Sequence, residues 1–248
     1  MTSLDTTHLI LLFLAIGLIA FLYSSVGHAG ASGYIATMTL FGLAPTIVRP
    51  TALVLNILVA SIGTFQFWRA GHFSWKLFWP FALLSIPAAY VGGYLQPSAS
   101  VLRILIGIVL LFSAARLFFR RSDPPQTSPP SRPAAISAGA GLGFLAGLTG
   151  TGGGIFLTPL LLFCHWAKIR QAAAVSALFI WVNSIAGLVG YFTKVHSIPS
   201  LGLILAAAAI IGGVIGSHLG SRHLAVHVIS LFLATVLLIA GTKLIFTR

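Results

Sequence analysis

Acidic residues are almost missing from this chain: its 248 residues include two aspartates, Asp5 and Asp123, and no glutamate. Charged residues of both signs make up only 6% of the chain, against about 25% in a soluble domain. The deficit excludes an ordinary water-facing globule. It also leaves no carboxylate for a proton relay inside an apolar interior, because Asp5 precedes the first apolar run and Asp123 lies in a proline-rich one. A single cysteine, Cys164, excludes an intrachain disulfide and belongs to no metal-binding pattern. Before the first apolar run there is no basic segment, so that run reads as a retained helix rather than a cleaved leader. No Lys follows the glycines as it does in a phosphate-binding loop, and no histidine pair is placed for haem. Neither enzyme nor redox carrier is indicated, and no cofactor is expected. What the chain has is 58% hydrophobic residues and 26 glycines, the composition of an all-α polytopic membrane protein.

Four of those glycines stand in Gly150-Thr151-Gly152-Gly153-Gly154, inside a strongly apolar stretch. Each interior glycine costs a helix about 1 kcal/mol relative to alanine, so a helix is expected to break there. Shifting by 123 positions lands on a second small-residue run, Gly27-His28-Ala29-Gly30-Ala31-Ser32-Gly33. Ser61-Ile62-Gly63 then falls on Ser184-Ile185-Ala186, Trp68 on Tyr191, and Gly92 and Leu95 come within one position of Gly216 and Leu219. The chain reads as two divergent repeats, 1–121 and 134–248. They are joined at 122–133 by a polar linker with five prolines. Broken apolar segments at corresponding places in two halves are the sequence pattern of a transporter's binding site.

A spanning helix takes about 20 apolar residues. The 34 residues from His8 to Phe41 would form a rod of ~51 Å against a ~30 Å hydrocarbon core, so they must fold back at the glycines. The expected elements are a hairpin of His8–Val26 and Ser32–Leu43, then spans at Thr51–Trp68, Lys76–Leu95 and Ala99–Phe119. The second half repeats the plan as a broken stretch Ala134–Phe163 and spans at Gln171–Phe192, Pro199–Leu219 and Leu224–Phe246. Each half is thus a broken hairpin pair plus three transmembrane helices, eight to ten helices in all, and the halves form an inverted repeat.

Basic residues in short loops mark the cytoplasmic side. With the linker inside, nine are internal, among them Arg69, Lys168, Arg170 and Arg222, and five are external, including Arg49 and Lys194. Both termini then lie outside a bacterial cytoplasmic (inner) membrane. Topology accounts for most of the +12 net charge without nucleic acid. The remainder favours an anion as passenger.

Helix N-termini expose unpaired N–H groups and the positive end of the dipole, which suits an anion. The candidate substrate contacts are Gly27, His28, Gly30 and Ser32 in the first run and Gly150, Thr151, Gly152, Gly153 and Gly154 in the second. Ser32 and Thr151 would add hydroxyl donors. Asn56 and Asn183, on the spans after each break, are candidates either for the site or for bonding between helices. Gln66 is read in the same way. Arg49 and Arg170 begin those spans and would either snorkel to headgroups or guide anions through a vestibule. His218, His223 and His227 lack a neighbouring acid or thiol, so no metal site is assigned.

Gly150-Thr-Gly-Gly-Gly-Ile-Phe-Leu-Thr-Pro159-Leu160, with its twin Val26-Gly-His-Ala-Gly-Ala-Ser-Gly-Tyr34 and Gly71-His72, resembles the sulfite exporter TauE/SafE family of membrane permeases. The resemblance extends over both halves. It implies a secondary permease for sulfite or a related sulfur-containing anion such as a sulfonate, thiosulfate or sulfoacetate, working in the lipid bilayer. The first run departs from the triple glycine, with Ala29, Ala31 and His28. A homo-oligomer is compatible with this sequence but not specified by it. Two other readings stay open, a structural or assembly subunit whose glycine runs are packing seams and a transition-metal cation permease.

Because no carboxylate is available for coupling, an Asp5→Asn/Asp123→Asn double variant is expected to keep transport and its pH dependence, whereas His28→Ala alters at least one. Proteoliposome flux with and without an imposed pH gradient checks this. Loss of gradient-driven transport in the double variant refutes it.

Overall fold

A computed structural model describes residues 5–95, 111, 114, 115, 118, 123, 126–193 and 201–246, without the side chains of 45, 226, 230, 233, 240 and 243–246. Among them lie α1 (Thr6–Ser25), α2 (Ala31–Leu40), α3 (Pro45–Arg69), α4 (Trp75–Leu95), α5 (Arg132–Thr149), α6 (Gly154–Phe163), α7 (Ile169–Phe192), α8 (Leu201–Arg222) and α9 (Val226–Phe246). The expected crossing at Ala99–Phe119 falls outside the described residues but for a few positions. So do the side chains of Arg103, Lys194, Lys243 and Arg248.

Five helices, α1, α3, α4, α7 and α8, are long and apolar enough to cross a membrane. Large aliphatic side chains such as Leu14, Leu18, Leu203 and Ile211 stand more than half exposed on them. A continuous apolar exterior of this kind is what lipid covers. The fold is therefore that of an all-helical polytopic membrane protein. In contrast, α2 and α6 have 10 residues each, ~15 Å of helix, half of what a crossing needs.

Helix boundaries follow the expected spans, with one instructive difference. α3 begins at Pro45 rather than Thr51 and runs through Pro50. Pro45 occupies the first turn, where no intrahelical partner is required. Pro50 forfeits one ladder bond without ending the helix. At the other proline-rich place, Arg132 and Pro133 form the first turn of α5. Upstream of it, Asp123 Oδ1 accepts from Ile169 N at 2.8 Å and Ser128 N donates to His165 O at 3.1 Å, which ties these two residues to the stretch from the end of α6 to the start of α7.

Contact register gives the helix directions. Gly212, Gly216 and Gly220 of α8 lie on the backbone of Gly17, Phe21 and Ser25 of α1, so those two helices are parallel. Gly139, Gly143 and Gly147 of α5 lie on Phe81, Ser85 and Ala89 of α4, also in parallel. α3 and α8 run together, as Gly202 against Thr51 and Gly213 against Val59 require. Asn56 beside Ser184 and Gly63 beside Ala177 make α3 and α7 antiparallel. Phe81 beside Trp166 and Tyr90 beside Gly190 align α4 with α7. Hence α1, α3 and α8 point one way and α4, α5 and α7 the other, so α1, α3 and α4 oppose α5, α7 and α8, their counterparts 123 or 124 residues away. The inversion expected from an odd number of crossings per half is present in the packing of these three pairs.

The same offset recurs in backbone conformation. Gly27 and Gly150 (φ 77° and 73°) are left-handed, as are Gly30 and Gly153 (102° and 83°) and the pair Gly42 and His165 (75° and 55°). Two apolar cores match this plan. One gathers α1, α2, α3 and α8 around Leu12, Ile16, Tyr34, Leu55 and Leu205, the other α4, α5, α6 and α7 around Phe81, Ala135, Leu157 and Phe179.

A Cβ at Gly216 would run into the carbonyl of Phe21, whereas one at Gly141 meets nothing within 4 Å. Overpacking of this kind costs about 1–3 kcal/mol. Gly216→Val is therefore expected to lower the melting temperature of the detergent-solubilised protein by about 5 °C, and Gly141→Ala to leave it unchanged or slightly raised.

Candidate functional site

Both breaks are built by glycines in a conformation that residues with a Cβ rarely adopt. Gly150 ends α5 with its N–H on Ala146 O, the usual left-handed helix stop. Gly30 and Gly153 are unusual, because they occupy the N-cap of α2 and α6 in the left-handed region, where an N-cap is ordinarily extended. A Cβ at Gly153 would come within 2.8 Å of Phe179 and 3.0 Å of Ala146 Cβ. Neither helix carries an acid in its first turn, so the positive dipole ends are uncompensated by side-chain charge.

From the end of α1 the chain passes Gly27, which lies on Ala173 near Phe67, and reaches Ala31, whose N–H donates to Asn56 Oδ1 at 3.0 Å. Residues 26–30 therefore travel from the end of α3 to its middle, where α2 begins and turns back toward the starting face. The second break mirrors this. It leaves Gly150 beside Arg49, passes Thr151 and Gly152 beside Asn56, and begins α6 against Phe179 and Ile180, midway along α7. Two half-helix N-termini consequently lie at mid-height between α3 and α7.

Asn56 joins the two breaks. Besides accepting from Ala31, its Nδ2 donates to Thr151 O at 3.2 Å and to Ser184 Oγ at 3.3 Å, and the residue is fully buried. Asn183 does not share this role. It lies one turn beyond the position 123 residues after Asn56, its Nδ2 returns to Phe179 O at 2.8 Å on its own helix, and its Oδ1 is buried without a partner.

The remaining polar candidates fall in three separate sets of contacts. His28 Nε2 meets Thr158 Oγ1 at 2.9 Å, and that hydroxyl donates to Ser176 Oγ at 2.7 Å. Ser32 Oγ lies 2.9 Å from Tyr23 OH. On the second break Thr151 Oγ1 lies 2.8 Å from Thr149 Oγ1 and is half-buried.

The two arginines are at opposite ends of the molecule. Arg49 sits in the second turn of α3, donates to Gly147 O at 2.6 Å and lies 5.6 Å from the centre of the Tyr191 ring. Arg170 opens α7 and donates to Leu224 O at 2.7 Å, near the end of α8. Gln66 donates to Val214 O at 3.1 Å, a bond between helices. The His218 and His223 rings lie 5.3 Å apart, but no group of three or more metal-binding side chains occurs among the described residues.

Sequence reasoning missed Tyr34, Thr158 and Ser176. Tyr34 is fully buried, its hydroxyl has no partner, and its ring end lies within about 3 Å of where a Gly30 Cβ would stand. Four residues, one helical turn, separate it from Gly30, and four separate Thr158 from Gly154. That spacing from each break was the available signal.

Comparison with known proteins agrees with this architecture. The family model "Sulfite exporter TauE/SafE" matches residues 12–244. The chain is 41% identical over 246 residues to the probable membrane transporter protein y4hK of Sinorhizobium fredii, covering 96% of this chain and 99% of that one. It is 27% identical over 238 residues to the probable membrane transporter protein YjnA of Bacillus subtilis, covering 88% and 92%. A third relative, the probable membrane transporter protein MJ0441 of Methanocaldococcus jannaschii, is 28% identical over 151 residues, covering 58% and 55%. No solved structure matches.

Asn56→Leu would leave the Ala31 N–H and the Thr151 carbonyl buried without partners, at about 1–3 kcal/mol each. The variant is expected to be destabilised by about 2–5 kcal/mol. Asn183→Leu, which removes an acceptor that is already unpaired, is expected to be neutral or stabilising. Thermal unfolding of the purified variants distinguishes the two.

Proposed function

Since the chain belongs to the sulfite exporter TauE/SafE family, a family of membrane transporters rather than enzymes, we propose that it is a secondary permease for a small sulfur-containing anion. Sulfite, a sulfonate, thiosulfate or sulfoacetate are the candidate passengers. The site lies where the N-termini of α2 and α6 meet beside Asn56. The observation that carries this reading is the pair of uncompensated helix N-termini at mid-height, each reached through left-handed glycine. Discontinuous helices aiming N-termini at an anionic group are a recurrent transporter device.

Backbone N–H groups around Gly30, Gly152, Gly153 and Gly154 contact the passenger in this reading, with Ser32 and Thr151 as hydroxyl donors, while the N–H groups of Gly27 and Gly150 are already bonded to Ser24 O and Ala146 O. His28 and Asn56 complete the pocket. Arg49 and Arg170, at opposite faces, guard its two approaches. The protein works in the bacterial cytoplasmic membrane with the linker inside and both termini outside.

Gly27 packs on the Ala173 backbone, but the helix seams lie outside the breaks and the breaks need left-handed backbone besides, which argues against the runner-up of a structural subunit with glycine seams at the breaks. Gly139, Gly143, Gly147, Gly212, Gly216 and Gly220 bring helices together from within regular helix. Gly150, Gly152 and Gly153 instead have left-handed backbones and hold an interruption.

Gly153→Val is expected to abolish sulfite flux into proteoliposomes. Ser32→Ala and Thr151→Val are each expected to weaken sulfite affinity at least tenfold, as loss of a bond of about 1.5–3 kcal/mol to a charged group implies. Normal flux through a well-folded Gly153→Val protein overturns the site. Stabilisation of the purified protein by nickel or cobalt instead of by sulfite or sulfonates would favour a metal permease.

A further inference from the structure

His28 is the one titratable side chain in either interruption, and its hydrogen bonds fix which ring nitrogen carries the proton. Thr158 has a single hydroxyl hydrogen, and Ser176 Oγ receives it at 2.7 Å. Toward His28 the Thr158 oxygen is therefore an acceptor, so the imidazole must donate from Nε2 across 2.9 Å. In a neutral ring that leaves Nδ1 as a bare lone pair. Nδ1 is buried and has no partner, and the residue is 4% exposed.

No side chain of opposite charge stands beside this ring. Of the elements around it, α1 presents Tyr23, with ring centres 6.5 Å apart, and α6 presents Thr158 and the Gly154 backbone. α7 presents the Ser176 hydroxyl and the Ala173 backbone beside Gly27. Tyr34 on α2, whose ring end reaches the position of a Gly30 Cβ, is the other titratable group at this break. No carboxylate is among them. A buried unpaired charge is strongly disfavoured, so the empty site holds neutral imidazole with an acceptor where an anion would offer more acceptors.

An unpaired acceptor of this kind repels a fully deprotonated oxyanion and favours one that still carries hydrogen. Resting on the permease reading, we propose that the passenger is a hydrogen oxyanion, bound with one proton in the bond between its oxygen and His28 Nδ1. The helix N-termini take the negative charge and His28 takes the hydrogen. The proton enters with the passenger and leaves with it, so each doubly charged anion equivalent moves together with one proton. No carboxylate relay is involved.

Titration calorimetry on the purified protein, with sulfite, selenite and methanesulfonate from acid to alkaline pH, tests this. Affinity for total sulfite is expected to fall about tenfold per pH unit above the second pKa of sulfite, following the hydrogen sulfite fraction. The selenite curve should be displaced to higher pH, because selenite is the weaker second acid. Methanesulfonate, which has no O–H, should bind at least tenfold more weakly than hydrogen sulfite. His28→Gln keeps one donor for Thr158 and one acceptor that does not titrate, so passenger-specific profiles should persist in it. A common midpoint for sulfite and selenite, absent in His28→Gln, would mean that the imidazole itself titrates and overturns the proposal. Equal, pH-independent binding of all three anions also overturns it, while leaving the permease reading intact. Binding of none at any pH removes both.

Discussion

An apolar interior supplies no water to an interrupted backbone, and Asn56 is where this fold answers that constraint. The first N–H of α2 has no partner within its own helix, and Thr151 lies outside any helix, so both need a bond from elsewhere. An amide offers an acceptor and two donors on one planar group. Asn56 uses them on Ala31 N, Thr151 O and Ser184 Oγ. One side chain halfway along α3 thus registers both interruptions and α7 against each other. The pairing of α3 with α7, the depth of the breaks and the meeting of two helix starts all depend on it.

Glycine serves two purposes that composition alone would merge. In the seams it is absent side chain that matters: α1 and α8, like α4 and α5, approach until a Cβ would strike a carbonyl across the interface. Lipid gives helices little hydrophobic reason to associate, so close contact between backbones becomes the main attraction. In the breaks the left-handed backbone matters, a conformation that costs L-residues with a Cβ about 1–2 kcal/mol. Seam glycines repeat every four residues, keeping one helix face. Break glycines cluster, since a helix must stop and restart within a few positions.

The repeats share a frame and differ in the chemistry placed on it. Gly27 and Gly150, or Gly30 and Gly153, have the same backbone, yet His28 stands where the other half has Thr151. His28 reaches across to α6 through Thr158 and Ser176. At the other end Arg49 lies between Gly147 and Tyr191, and Thr151 bonds Thr149. An inverted pair with identical side chains would present the same polar groups at both breaks. Here one break holds an imidazole and the other a hydroxyl.

The sequence by itself determined what depends on neighbours along the chain. Glycine clusters interrupt helices, a half-length apolar run cannot cross, an offset of 123 residues betrays duplication, and an odd number of crossings per half implies inversion. These follow from helix geometry and propensity, which act over a few residues, so the broken pairs and most span ends were legible. Tertiary structure decided which side chains meet. Asn56 and Asn183 look equivalent in the sequence, but a slip of one turn in the second half takes Asn183 away from the break. Arg49 and Arg170 likewise both open spans, yet they lie in different turns and at opposite ends. Thr158 and Ser176 matter because α6, α7 and the first break converge, and no spacing along the chain records that convergence. Periodicity gives the face of a helix on which a residue lies, while its neighbour is chosen by packing between segments that can be 130 residues apart, as His28 and Thr158 are.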